Sequence, residues 1–242
     1  PALSSASTAS GVDKRQRYPG GHPYSLDQLG TAETVAKITP ADLKNLYDQL
    51  VRPDSIIIAV AGDVEPQKVK ETLEEALAGW KPRGRELKIA VPKAPAPISQ
   101  PVKITEPLNR AQTHIAYGFQ AVGLGAADGP ALDVLAAYLS GMSGPLFREL
   151  RDQQSLAYTV QCGYNPGLNI GSFSFYIATD PKKVDVALKG FNAIIERIRQ
   201  NPISEEELNG AKQYIIGTTK IRLQTISSRT GQAILNSLYG LG

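Results

Sequence analysis

The residues of this sequence that could do chemistry are few: His22, His114, Cys162, a run of glutamates at Glu205–Glu207, and the turn Gly141-Met142-Ser143-Gly144. A hydrolytic zinc site needs about three protein ligands and an open position. Helical metal motifs work because residues four apart project together toward one ion. Neither His-Glu-x-x-His nor its inverse His-x-x-Glu-His occurs. His22 sits in the turn Gly20-Gly21-His22-Pro23-Tyr24, and His114 in an alternating segment, so the pair reads as a turn residue and a satisfied strand histidine. Cys162, the only cysteine, excludes an internal disulfide and a cysteine-based metal cluster. It reads as a small apolar residue in a strand. Ser143 lacks the Gly-x-Ser-x-Gly frame of a nucleophile elbow. Glu205–Glu207 follow Ser204 in the Ser-x-x-Glu pattern of a capped helix start, where carboxylates complement the dipole. No phosphate-binding loop or dinucleotide fingerprint is present. No catalytic and no metal-ligating residue is assigned to this chain.

The elements around these residues fall into two parts. Residues 1–21, rich in Ser, Ala and Gly, have little apolar patterning and read as a flexible N-terminal segment. Thr31–Ile38 has helical character. A second helix starts at Thr39 as N-cap, with Pro40 at its first position and Asp42 in its first turn; Leu43, Leu46, Tyr47 and Leu50 form its apolar face. Ser55–Ala61 is a continuous apolar run between Pro53 and Gly62, and predicts a strand buried on both faces. Helical period returns from Glu65 to Trp80. Residues 81–100 then carry four prolines among few apolar anchors. They form a semi-rigid linker and the best domain boundary.

The second part opens with a predicted strand, Val102–Glu106. In Ala111–Phe119, Thr113, Ile115, Tyr117 and Phe119 share one face. Helices are predicted over Pro130–Ser140 and Pro145–Gln153. Strands Ala157–Tyr164 and Gly171–Ala178 are joined by the hairpin signal Asn165-Pro166-Gly167. Asp180-Pro181 then caps an amphipathic helix bearing Val184, Ala187, Leu188, Phe191, Ile194, Ile195 and Ile198 on one side. A last helical region runs from Ser204 toward Tyr239, with breaks expected near Gly217 and Gly231. Hairpin-linked strands with separate helices predict an α+β fold, with antiparallel sheets flanked by helices.

The 242 residues are enough for one large domain or two small ones, and 26 basic against 23 acidic residues give a net charge of +3. So mild a balance, with no Lys/Arg run, argues against nucleic acid as the main partner. No stretch approaches the roughly 18 apolar residues of a membrane span. The opening lacks a basic region followed by an apolar run, as a signal peptide would have. Both ends read as cut, so the compartment stays unread, periplasmic and cytoplasmic alike.

Several segments, in order, resemble the pitrilysin/insulinase-type (M16) metallopeptidases. His22-Pro23-Tyr24, Gly30-Thr31, Ile38–Leu43 and Ala59–Val64 are similar to the closing part of one family domain. Ser143–Arg151, continuing to Ser155-Leu156-Ala157-Tyr158, is similar to the signature of the next, followed by Gly171-Ser172-Phe173 and Ser204–Leu208. The resemblance covers about residues 22–242. It implies the closing part of a first M16-like domain over 22–80 and a second domain, resembling those of mitochondrial processing peptidase, over 101–242. It also implies that the zinc cofactor belongs to the parent chain or to a partner half, with none in this fragment.

Arg151 and Tyr158 match the family's Arg/Tyr pair. The resemblance thus gives them a substrate-binding role, holding the peptide backbone and polarising its carbonyl. An arginine fork and a phenol can both donate hydrogen bonds to a carbonyl oxygen gaining charge. Read without the resemblance, Arg151 complements a helix C-terminus and Tyr158 is a packing aromatic. Two origins are open: the tail of an active half without its zinc helix, or the metal-free half of a duplicated chain, which the Leu238-Tyr239-Gly240-Leu241-Gly242 ending resembles more. The implied function is the non-zinc, substrate-binding portion of a metalloendopeptidase acting on peptides or unfolded polypeptides. Its partners would be a peptide substrate and the zinc-bearing half. A non-catalytic scaffold subunit and a general peptide-binding module are the alternatives.

Overall fold

The computed structural model describes residue 18 and residues 21–83, 90–107 and 109–241. In chain order the helices are α1 Ala32–Ala36, α2 Pro40–Leu50, α3 Pro66–Leu77, α4 Gly129–Ser140, a π-helix Leu146–Gln153, α5 Val184–Gln200, α6 Glu205–Arg222 and α7 Ile226–Tyr239. The strands are β1 Thr113–Val122, β2 Ala157–Asn165 and β3 Ile170–Thr179. They form one antiparallel sheet in the order β1-β3-β2. The chain divides into two compact units, one of residues 1–28 and 91–216, the other of residues 29–90 and 217–242. The α+β class, with an antiparallel sheet flanked by helices, is the observed one. The expectation for residues 1–21 falls almost wholly outside the described residues.

The first unit is organised by the sheet. β3 is central, and all its residues except Ser174 and Tyr176 are buried. Ile115 and Tyr117 of β1, Phe173, Phe175 and Ile177 of β3 and Val160 and Cys162 of β2 face one core together with Leu139, Leu146, Leu150, Ala187, Phe191 and Ile194 from the helices. The Phe191 ring lies 5.5 Å from that of Tyr117 and 6.0 Å from that of Phe175. This is the alternation read from the sequence: one residue in two points to the helices. Gly144 allows the π-helix to start against α4, because a Cβ there would collide with the Tyr138 and Leu139 carbonyls.

In the second unit the local signals hold and the tertiary expectation does not. Thr39 caps α2, its hydroxyl accepting from the Asp42 N–H at 3.2 Å while the Asp42 carboxylate accepts from the Thr39 N–H at 2.9 Å. Ser55–Ala61, expected as a strand buried on both faces, is extended but pairs with no strand among the described residues. Ile56, Ile57, Ile58 and Val60 are 38–51% exposed. A β-run buries its side chains only when neighbouring strands supply ladder partners and covered faces, and here it has neither. Val102–Glu106 likewise forms no ladder, and Val102 and Ile104 are exposed. The break in the last helical region falls at residues 223–225, and Gly217 and Gly231 lie inside α6 and α7. Thr225 sets it by accepting from the Ser228 N–H at 3.1 Å. A threonine cap of about 1 kcal/mol decides a boundary more firmly than a mid-helix glycine, which a helix tolerates at about 1 kcal/mol.

Candidate functional site

Arg151 stands in the last turn of the π-helix and Tyr158 one residue into β2. Between them the chain reverses at Ser155, which has φ 49°, in the left-handed region uncommon for a residue with a Cβ. The Ser155 N–H donates to the Arg151 carbonyl and the Leu156 N–H to the Leu150 carbonyl, each at 2.9 Å. Leu156 is thereby tucked into the core, 5% exposed. From the other side, Lys183 Nζ donates to the Ser155 carbonyl at 3.0 Å.

The register of β2 against β3 then shifts between Ala157 and Thr159. By parity Tyr158 belongs with Val160 and Cys162 on the core face. The irregularity releases it, as bulges re-aim side chains, and Tyr158 is 80% exposed. Its sequence reading as a packing aromatic is therefore overturned.

The two residues meet. The Arg151 guanidinium carbon lies 5.1 Å from the Tyr158 ring centroid and 4.3 Å from that of Phe147. Both distances are within cation–π range. Among the described residues Arg151 has no ion-pair partner. Its guanidinium is thus held by ring faces, which leave the in-plane N–H donors open. The phenol beside it faces solvent. Phe147 and Ser155 were not singled out in the sequence; the only signal was a helix-to-strand turn with no glycine.

The neighbouring charges are structural. Arg197 makes a two-pronged bond to Glu149, at 2.8 and 3.0 Å. Partial burial raises the Glu149 pKa, and the hydrogen bonds and charge of Arg197 together outweigh that, leaving it below the usual carboxylate value. Ser204 and Glu207 form the expected capping box. The Tyr138 hydroxyl donates to Glu207 at 3.2 Å.

The other singled-out residues stand apart. The His114 ring shares a 2.6 Å hydrogen bond with Tyr176 on the face opposite the core. Burial pushes the Cys162 thiol up to about 11. Its backbone N–H donates to Ser140 Oγ, which in turn donates to the Cys162 carbonyl, at 2.8 and 2.9 Å. His22 is buried in an aromatic cluster with Tyr18 and Tyr24. Among the described residues no group of three His, Cys, Asp or Glu side chains could hold a metal ion. The residues present do not fit a zinc site.

Comparison with known proteins agrees with this arrangement. The family described as the Peptidase M16 inactive domain matches residues 37–215. "Uncharacterized zinc protease Rv2782c" of Mycobacterium tuberculosis is 28% identical over 226 residues, covering 91% of this chain and 51% of that protein. The "Non-peptidase homolog YmxG" of Helicobacter pylori is 23% identical over 217 residues, covering 90% of this chain and 49% of its own length. The chain thus spans about half the length of the curated relatives it matches. A crystal structure of a peptidase M16 inactive domain from Pseudomonas fluorescens shares the fold, with a TM-score of 0.79 at 21% identity over 98% of this chain and 56% of that one. The chain therefore belongs to the M16 peptidase family and carries its inactive domain.

Proposed function

We propose that this chain is the non-zinc, substrate-binding portion of an M16-type metalloendopeptidase, with Arg151 and Tyr158 as substrate-orienting residues. The observation that carries the reading is the exposed pair itself: a guanidinium with open donors, 5.1 Å from the ring of an 80% exposed tyrosine. Both groups can donate to one peptide carbonyl. Such donors, fixed before the substrate arrives, stabilise charge developing on that oxygen. The strained turn at Ser155 and the bulge at Tyr158 hold the two at one place, an arrangement that packing alone does not call for. Metal and nucleophile belong to the other half of the enzyme.

On the same reading, residues 22–80 are the closing part of a first domain. Its remaining elements would cover the apolar sides of α2 and of Ser55–Ala61, whose exposure supports this.

The test is chelator-sensitive peptide hydrolysis by this chain together with the zinc-bearing half. Arg151→Ala and Tyr158→Phe are each expected to lower kcat/KM by about 10- to 100-fold, in the range of a lost transition-state donor, with the circular dichroism spectrum unchanged. Cleavage indifferent to both substitutions would return the pair to a structural role. The second reading is a non-catalytic scaffold subunit, favoured by the relative whose name is "Non-peptidase homolog YmxG". It predicts stable assembly with the other half and no cleavage under any metal condition.

A further inference from the structure

The mechanism above makes no use of His22, although it is the most constrained polar side chain of the first unit. It is 7% exposed. Tyr18 stacks on its ring at 5.5 Å, and Tyr24 meets it edge-on at 5.0 Å. Nδ1 accepts the Tyr24 backbone N–H at 3.2 Å. That bond assigns the ring proton to Nε2. Nε2, on the far side of the ring, is fully buried and has no hydrogen-bond partner. A buried donor left unsatisfied costs about 1–3 kcal/mol.

His22 lines a cavity of about 480 Å³ between its own turn and the proline-rich strap, opposite Pro92, Lys93 and Pro95. Both walls are fixed. Tyr24 Oη accepts from the Leu168 N–H at 2.9 Å, and Asn169 Nδ2 donates to the Pro92 carbonyl. Farther along the strap, Gln120 accepts from the Ile98 N–H at 3.0 Å and donates to the Ala96 carbonyl at 3.3 Å. The lining thus offers one buried N–H donor, one ammonium and apolar proline rings, with no carboxylate.

We infer that this cavity is a binding site for a carboxylate carried on an apolar body. The His22 Nε2–H donates to a carboxylate oxygen, Lys93 supplies the opposing charge, and the proline rings pack against the apolar part. A bare ion would leave most of 480 Å³ unfilled. The site is separate from the Arg151/Tyr158 pair and does not rest on the proposed peptidase role.

The experiment is a titration of the intact, 15N-histidine-labelled chain with 3-phenylpropionate, followed by the imidazole NMR signals. The amide of the same acid, inorganic phosphate and chloride are titrated at matched ionic strength. A saturable shift of the His22 signals, with His114 unmoved, is expected for the acid, at least tenfold weaker for the amide. Lys93→Gln is expected to weaken binding by about 2- to 5-fold, as an exposed charge partner does, and Lys93→Glu to abolish it; Lys93 is exposed, so neither variant disturbs the fold. No saturable shift overturns the inference. So does an equal response to acid and amide, a response to phosphate alone, or unchanged binding by Lys93→Glu.

Discussion

The sheet unit around Phe191 and the helical unit at residues 29–90 and 217–241 are built from similar residue types and end in opposite states. In the first, α5 buries Ala187, Phe191 and Ile194. In the second, α2 has an equally regular stripe, yet Leu43, Leu46, Tyr47 and Leu50 are 45–59% exposed and no residue of α2, α3 or α7 is buried. Amphipathic period fixes which side of a helix is apolar. It does not supply the surface that covers it, and most helical stability comes from that packing. The first unit has such a surface, because hairpin strands β2 and β3 and the returning β1 close a sheet beneath the helices.

This contrast can be broken or sharpened by measurement. The largest effect is expected for Phe191→Ala, which empties a fully buried site. It should cost about 3–5 kcal/mol in denaturant unfolding, and a loss below about 1 kcal/mol would mean the core of the first unit is looser than its geometry. Glu149→Gln removes the charge that Arg197 holds with two hydrogen bonds, and is expected to cost about 1 kcal/mol or less for so exposed a pair. The folded Glu149 pKa is depressed, so its contribution is present above the unfolded carboxylate pKa and lost as pH falls through the folded one. Wild-type stability should therefore drop on acidification below about pH 4, by an amount the variant does not show. Leu46→Ala in α2 should cost less than about 1 kcal/mol in the chain alone, since the side chain is half exposed. A core-sized loss would abolish the difference between the units. The smallest effect is expected for Tyr158→Ala, within about 0.5 kcal/mol of wild type; a larger one would show the exposed ring holding up the fold.

Much of the first unit was legible because its signals are local or periodic. Alternation in β1, the Asn165-Pro166-Gly167 hairpin and the stripe of α5 each repeat a pattern that only one face can satisfy. The candidate pair was legible as residue types and not as a contact. Nothing in the seven positions from Arg151 to Tyr158 reveals a π-helix or a left-handed serine. The bulge depends on how β2 registers against a strand that comes after it. Ser55–Ala61 failed for the same reason: its β-branched residues suit a strand, and the partner that makes one lies elsewhere.

By itself the sequence determined the capped helix starts at Thr31, Thr39 and Ser204, where donor and acceptor sit within three residues and no other part of the chain is consulted. It also determined the apolar faces and the want of a metal-binding motif. Only the tertiary structure decided that Tyr158 leaves the core for the Arg151 guanidinium, and that the His22 ring is buried with one nitrogen unanswered. Those outcomes depend on contacts between residues far apart in the chain. Their free energy comes from desolvation and packing, which exist only once the distant partners have met.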